Sequence, residues 1–67
     1  MSKYVVDMCY AEFASKQRAQ KHAKTIAARN EGVSIRVYSE TKEGNVTTWK
    51  ALDAYRSDSG KMVKINP

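Results

Sequence analysis

Between Phe13 and Asn30 the chain reads FASKQRAQKHAKTIAARN, with five basic residues and no acid. At about 100° per residue, Ala19, Ala23, Ile26 and Ala27 fall on one stripe, while Arg18, Lys21, Thr25 and Arg29 gather opposite. This predicts a helix over residues 15–30. Ser15 suits the N-cap, where its hydroxyl can accept a free N–H of the first turn. The residue three beyond it is Arg18, so no capping box forms. Asn30 and Gly32 suit the C-terminal cap. The buried stripe is thin, three alanines and one isoleucine. At about 25 cal/mol per Å² of apolar area, most of the core must then come from strands packed against this helix.

The flanking sequence supplies those strands. Lys3 to Ala11 alternates Tyr4, Val6, Met8 and Tyr10 with Val5, Asp7, Cys9 and Ala11. Both sets carry apolar residues, which predicts an interior strand, with Asp7 marking the wetter face. Glu12 to Ala14 connects it to the helix. Val33 to Glu40 predicts a half-buried strand with Val33, Ile35 and Val37 inward and Ser34, Arg36 and Tyr38 outward. Thr41 to Asn45 holds turn residues with Gly44 at a positive-φ position. Val46 to Tyr55 is read as a strand, although Lys50 to Ala54 would suit a short helix. Trp49, Ala51, Asp53 and Tyr55 share one parity and leave Leu52 on the other, so a bulge can fall there. Arg56 to Gly60 reads as a second turn. Lys61 to Ile65 reads as a last strand with Val63 and Ile65 inward. The expected fold is a single α+β domain over residues 1–67, in the order β-α-β-β-β, with one helix packed on one face of a mostly antiparallel sheet.

Sixty-seven residues lie near the lower size for unaided folding. The single cysteine, Cys9, excludes an intrachain disulfide, and no Cys/His spacing suggests a metal site. A lone thiol fits a reducing compartment, and no stretch approaches a signal peptide or a membrane span. The expected location is therefore the cytoplasm.

Outside the helix seven bases offset seven acids, so the whole net charge of +5 resides in the helix segment. Its outward face, Arg18, Lys21 and Arg29 flanked by Lys16 and Lys24, suits contact with phosphates. The competing explanation is a solvated face, since Lys and Arg are good helix formers. With a single helix behind it, the sheet leaves its other face open. Arg36, Tyr38, Lys50 and Lys64 are expected there, with either Tyr4 and Tyr10 or Trp49 and Tyr55. These aromatics match no RNA-recognition signature. They can anchor a protein partner or a second copy, or can serve as ordinary sheet residues. Asp53 and Asp58 read as turn or solvent-facing acids. Nothing resembles a phosphate loop, a catalytic triad or a carboxylate pair, and His22 is the only base near which Cys9 can act. A non-enzymatic binding protein without cofactor, metal, membrane or small-molecule substrate is the expectation. Its partner would be nucleic acid or a host nucleoprotein complex, with a homodimer as the alternative.

The stretch HAKTIAARNEGVSIRVYSETKEG is followed by Trp49, Tyr55 and a Ser59-Gly60-Lys61 turn into a last strand. Over residues 22–65 this layout resembles small bacteriophage-encoded host-takeover proteins, in particular a short anti-CRISPR family acting on type I surveillance complexes. The resemblance implies one helix backing a curled antiparallel sheet. It also implies inhibition by occupying basic or guide-binding surfaces of the complex, with non-specific DNA contact promoted by some members. The N-terminus departs from that layout, because here the helix follows the first strand almost directly. No site residue is carried over.

Overall fold

The structure, a computed structural model, describes residues 3–9 and 11–67. Strands β1 (Lys3–Val6) and β2 (Glu12–Phe13) precede helix α1 (Lys16–Arg29), and β3 (Ile35–Glu43), β4 (Val46–Asp58) and β5 (Lys61–Ile65) follow it. The sheet order is β2-β1-β3-β4-β5, with every neighbouring pair antiparallel. The expected β-α-β-β-β order holds, with the two-residue β2 added at one edge.

Ala19, Ala23 and Ala27 of α1 are fully buried against Val6, Ile35, Val37 and Tyr55, with Tyr4, Cys9, Phe13 and Ile26 at the margin. Small side chains let the helix lie close to the sheet, and the branched residues of β1 and β3 fill the space between. Ser15 caps the helix with its hydroxyl 3.5 Å from the Arg18 N–H, a long contact. At the other end the Asn30 side chain donates to the Ile26 carbonyl at 2.8 Å, and Asn30 keeps a negative φ. Gly32, at φ +83°, makes the left-handed exit. Its N–H donates to the Ser57 carbonyl at 3.0 Å, tying the helix end to β4.

Several expected boundaries move. β1 stops at Val6 rather than Ala11. The Asp7 N–H donates to the Arg36 carbonyl and the Asp7 carboxylate accepts the Arg36 N–H, which turns the chain at Asp7-Met8. Met8 takes φ +61°, and Tyr10 lies outside the described residues. Val33 precedes β3 and is exposed rather than inward. The first hairpin turn is only Gly44-Asn45, between paired Glu43 and Val46. Positive φ at Gly44 alone of these two is the sign pattern of a type II′ turn.

β4 also outruns its expected end at Tyr55 and continues to Asp58. Ser59 (φ +52°) and Gly60 (φ +82°) form the second turn, both left-handed as in type I′. The bulge falls at Leu52: Val37 pairs with Asp53 and Tyr38 with Ala51, leaving Leu52 as the extra residue. It splits the shared parity. Trp49 and Ala51 lie with Tyr38 on the open face, and Asp53 and Tyr55 lie with Val37 and Ile35 on the helix side. The tight second turn then pairs Tyr55 with Lys64 and Ala54 with Ile65. Met62 and Lys64 therefore face the helix side, and Val63 and Ile65, expected inward, lie on the open face.

The molecule measures 44 × 18 × 16 Å. Its length comes from the β3–β4 hairpin. β1 reaches only Glu40 of β3, and β5 reaches only Ala54 of β4, so residues 41–48 project as a two-stranded ribbon. No helix among the described residues is long and apolar enough to cross a membrane.

Candidate anion-binding surface

The alanine row fixes which side of α1 faces outward. Lys24, Lys21, Thr25, Arg18 and Arg29 follow one another around the exposed arc, with Lys16 exposed in the first turn. None of the five cations forms an ion pair among the described residues. The ion pairs there are Lys3–Glu12 at 3.0 Å, Arg56–Asp58 at 2.9 Å and Lys64–Asp53 at 3.2 Å, all away from the ridge. The acids are spent elsewhere. Asp7 accepts the Arg36 N–H at 3.1 Å and Glu31 accepts the Ser59 N–H at 2.7 Å. Glu40 and Glu43 sit on β3 toward the ribbon. The fold thus leaves the cations of α1 uncovered and without an ion pair among the described residues. The Lys24 ammonium lies 5.2 Å from the Tyr55 ring centroid, a contact that leaves its charge intact.

Arg36 and Tyr38 do not join this ridge. Both occupy the open face of the sheet, Arg36 exposed and Tyr38 half-buried. Lys50 and Lys64, expected beside them, have the opposite parity: Lys50 pairs with Ser39 and Lys64 with Tyr55 on the helix side. The residues predicted to bind therefore divide: Arg18, Lys21, Arg29 and Lys24 lie on the ridge, Lys16 stands exposed in the first turn but in line with the alanine row, where its charge adds to the Gln20 hydrogen bond in lowering the Asp53 carboxyl, and Arg36 and Tyr38 lie behind the sheet.

Asp53 is the larger correction. It is neither in a turn nor solvent-facing but 6% exposed on β4. Gln20 Nε2 donates to its Oδ2 at 2.7 Å, and Lys64 Nζ lies 3.2 Å from Oδ1. The Gln20 hydrogen bond, with Lys64 adding to it, outweighs burial and holds the carboxyl below the usual carboxylate range. Asp58 pairs with Arg56 at the end of β4. Tyr55 is buried on the helix side, and that burial pushes its phenol up. Gln20, Lys24, Tyr55, Met62 and Lys64 line a cleft of about 480 Å³ between α1 and β5. Sequence reasoning missed this grouping, because Gln20 and Asp53 lie 33 positions apart.

On the opposite flank of α1, Cys9 Sγ lies 3.3 Å from His22 Nε2, and the Ala11 N–H donates to the same sulfur at 3.4 Å. The His22 ring leans on Phe13 at 5.2 Å between centroids. Cys9 is half-buried. The open face carries a shallow groove of about 430 Å³ lined by Val5, Tyr38, Met8 and Trp49 among others. Trp49 is 59% exposed at the root of the ribbon. No group of three or more metal-ligating side chains occurs among the described residues. In comparison with known proteins, the chain matches no family model, no curated protein and no solved structure. The geometry of these surfaces must therefore carry the functional reading.

Proposed function

We propose that this chain is a non-enzymatic basic binding protein whose helix α1 docks on the phosphate backbone of nucleic acid. One observation carries the reading: five helix cations stand in solvent without an acidic partner, while acids from both flanking regions are engaged inside the sheet and its loops. Arg18, Lys21 and Arg29 supply the central charge, and Lys24 widens the footprint. Counterion release would then dominate affinity. The sequence resemblance to short anti-CRISPR proteins over residues 22–65 suggests a phage or mobile-element accessory role in the cytoplasm of a host cell, with the nucleic acid held in a host complex.

The test is a titration of labelled duplex DNA and RNA across a salt series. With four phosphate contacts, log K should fall with log salt at a slope of roughly −3.6, over a hundredfold in affinity between 50 and 200 mM. Lys21→Glu should flatten that slope. Binding that ignores salt, or survives Lys21→Glu unchanged, overturns the reading.

A second reading rests on the ribbon. Trp49 and Val46 stand 59% and 63% exposed on a two-stranded hairpin that no helix covers, and such a hairpin is marginal alone. It would make the chain a protein–protein module or homodimer anchored by Trp49 and Tyr38. Tyr55 leaves that role because it is buried. Concentration-dependent dimerisation lost in Trp49→Ala, together with indifference to nucleic acid, would favour it.

A further inference from the structure

We infer that the cleft between α1 and β5 seats a phosphodiester group of the bound nucleic acid, so that the footprint continues from the helix onto the sheet. The inference rests on the nucleic-acid reading above and adds to it a direction and a second wall.

The two walls are built differently from a pair of solvated lysines. On the helix wall, Lys24 reaches across the Tyr55 ring, its ammonium 5.2 Å from the centroid. On the strand wall, Lys64 is drawn to the cleft by Asp53 at 3.2 Å. Asp53 itself is no obstacle to an anion. It is 6% exposed at the base, and its two oxygens are separately engaged by Gln20 and Lys64. A lysine ammonium has three donors, so Lys64 keeps two for a ligand after meeting Asp53. A phosphate oxygen set between Lys24 and Lys64 meets two cations, one of them already oriented.

The two flanks of α1 differ in what they present. Toward β1 and β2 lie the Cys9–His22 contact and the Phe13 ring. Toward β5 lie Lys24 and Lys64, with the Asp53 carboxylate buried beneath them and held by Gln20 and Lys64. An anionic backbone following these basic side chains passes from Lys21 and Lys24 to Lys64.

The test compares Lys64→Gln with Lys61→Gln in titrations of one labelled duplex DNA. Both remove one charge from β5, but Lys61 pairs with Asp58 on the open face. A seated phosphate predicts that Lys64→Gln lowers the salt slope by about 0.9 and weakens binding about eightfold at 0.1 M salt, while Lys61→Gln does neither. Lys64→Arg, which keeps the charge and the Asp53 partner, should bind as wild type. Should Lys64→Gln fail to fold, the Gln20 side-chain amide of the wild-type protein reads the same cleft by NMR. Its resonance must move with the duplex titration, and a stationary resonance overturns the cleft. Equal effects of Lys64→Gln and Lys61→Gln also overturn the cleft, and leave the ridge standing if Lys21→Glu still flattens the salt slope. Binding unaffected by Lys21→Glu overturns both.

Discussion

Arg18→Glu should make the protein more stable and less able to bind. Arg18 is the third helical residue after the Ser15 cap, and its N–H reaches the Ser15 hydroxyl only at 3.5 Å. α1 has no acid in its first turn. A glutamate there completes a capping box, because its carboxylate can reach back to the Ser15 N–H. It also replaces a charge opposed to the helix dipole by one that favours it, at 0.3–1 kcal/mol for a surface site. Finally it sits three residues before Lys21, an attractive pair of about 0.2–0.5 kcal/mol. Allowing for overlap, a gain of about 1 kcal/mol is expected, which raises the melting temperature of a domain this small by about 4–8 °C. The same substitution reverses a charge at the centre of the ridge. Loss of one phosphate contact removes about 0.9 from the salt slope and about eightfold in affinity at 0.1 M salt, before any repulsion. Circular dichroism melts and fluorescence anisotropy on duplex DNA read the two effects separately. A solvated face with no partner predicts the stability gain without the binding loss. A fall in melting temperature would refute the account of the helix N-terminus, and undiminished binding would refute the role of the ridge.

Asp53 should govern part of the acid limb of stability. Its carboxyl is depressed in the folded state, so its contribution is present above the unfolded value and is lost as pH falls through the folded one. Asp53→Asn should cost about 1–3 kcal/mol near neutrality and give a flatter stability profile from about pH 5 downward; urea titrations parallel to wild type at every pH would refute this. Cys9 should react with iodoacetamide several-fold more slowly in His22→Phe, since the imidazole that lies 3.3 Å from the thiol is then gone. Equal rates, with folding confirmed by circular dichroism, would show that the Cys9–His22 contact does not bear on the thiol's reactivity.

What the sequence shows of this fold is whatever a local pattern determines. The alanine row of α1, the inward Ile35 and Val37, and the glycine exit at Gly32 all follow from spacing or from backbone sterics. The bulge was also legible, because Leu52 breaks the parity of its neighbours. What was illegible depends on partners far along the chain. Tyr4 to Tyr10 alternates without interruption, yet β1 ends early because the Asp7 carboxylate meets the backbone of Arg36. The orientation of β5 is set by the turn. A two-residue connection at Ser59-Gly60 locks Tyr55 opposite Lys64, and a longer loop from Arg56 would not have done so. The basic composition of the helix could be read directly, but that no acid from the strands pairs with it shows only in the fold. The cleft could not, because it exists only once Gln20, Asp53 and Lys64 are brought together.

The composition of α1 separates two requirements that are usually satisfied together. An alanine row permits close approach to the sheet but buries little area, so the helix must hold its shape largely by intrinsic propensity. Lys, Arg and Gln on its outer arc meet that need, but Glu has nearly the same propensity. Propensity therefore accounts for long, unbranched side chains and leaves their sign unexplained. Stability alone favours a mixture: Glu in the first turn, Lys in the last, and opposite charges four apart. Solubility does too, because interspersed charges serve as well as a single-sign field. The chain departs from that mixture at four helix positions, Lys16, Arg18, Lys21 and Lys24, and in one direction, each choice costing about a few tenths of a kcal/mol. Meanwhile it uses acids freely wherever the sheet needs a hydrogen-bond acceptor. The absence of acid from one helix, in a protein that employs acid elsewhere, fits the proposed contact with a polyanion and is not needed for folding.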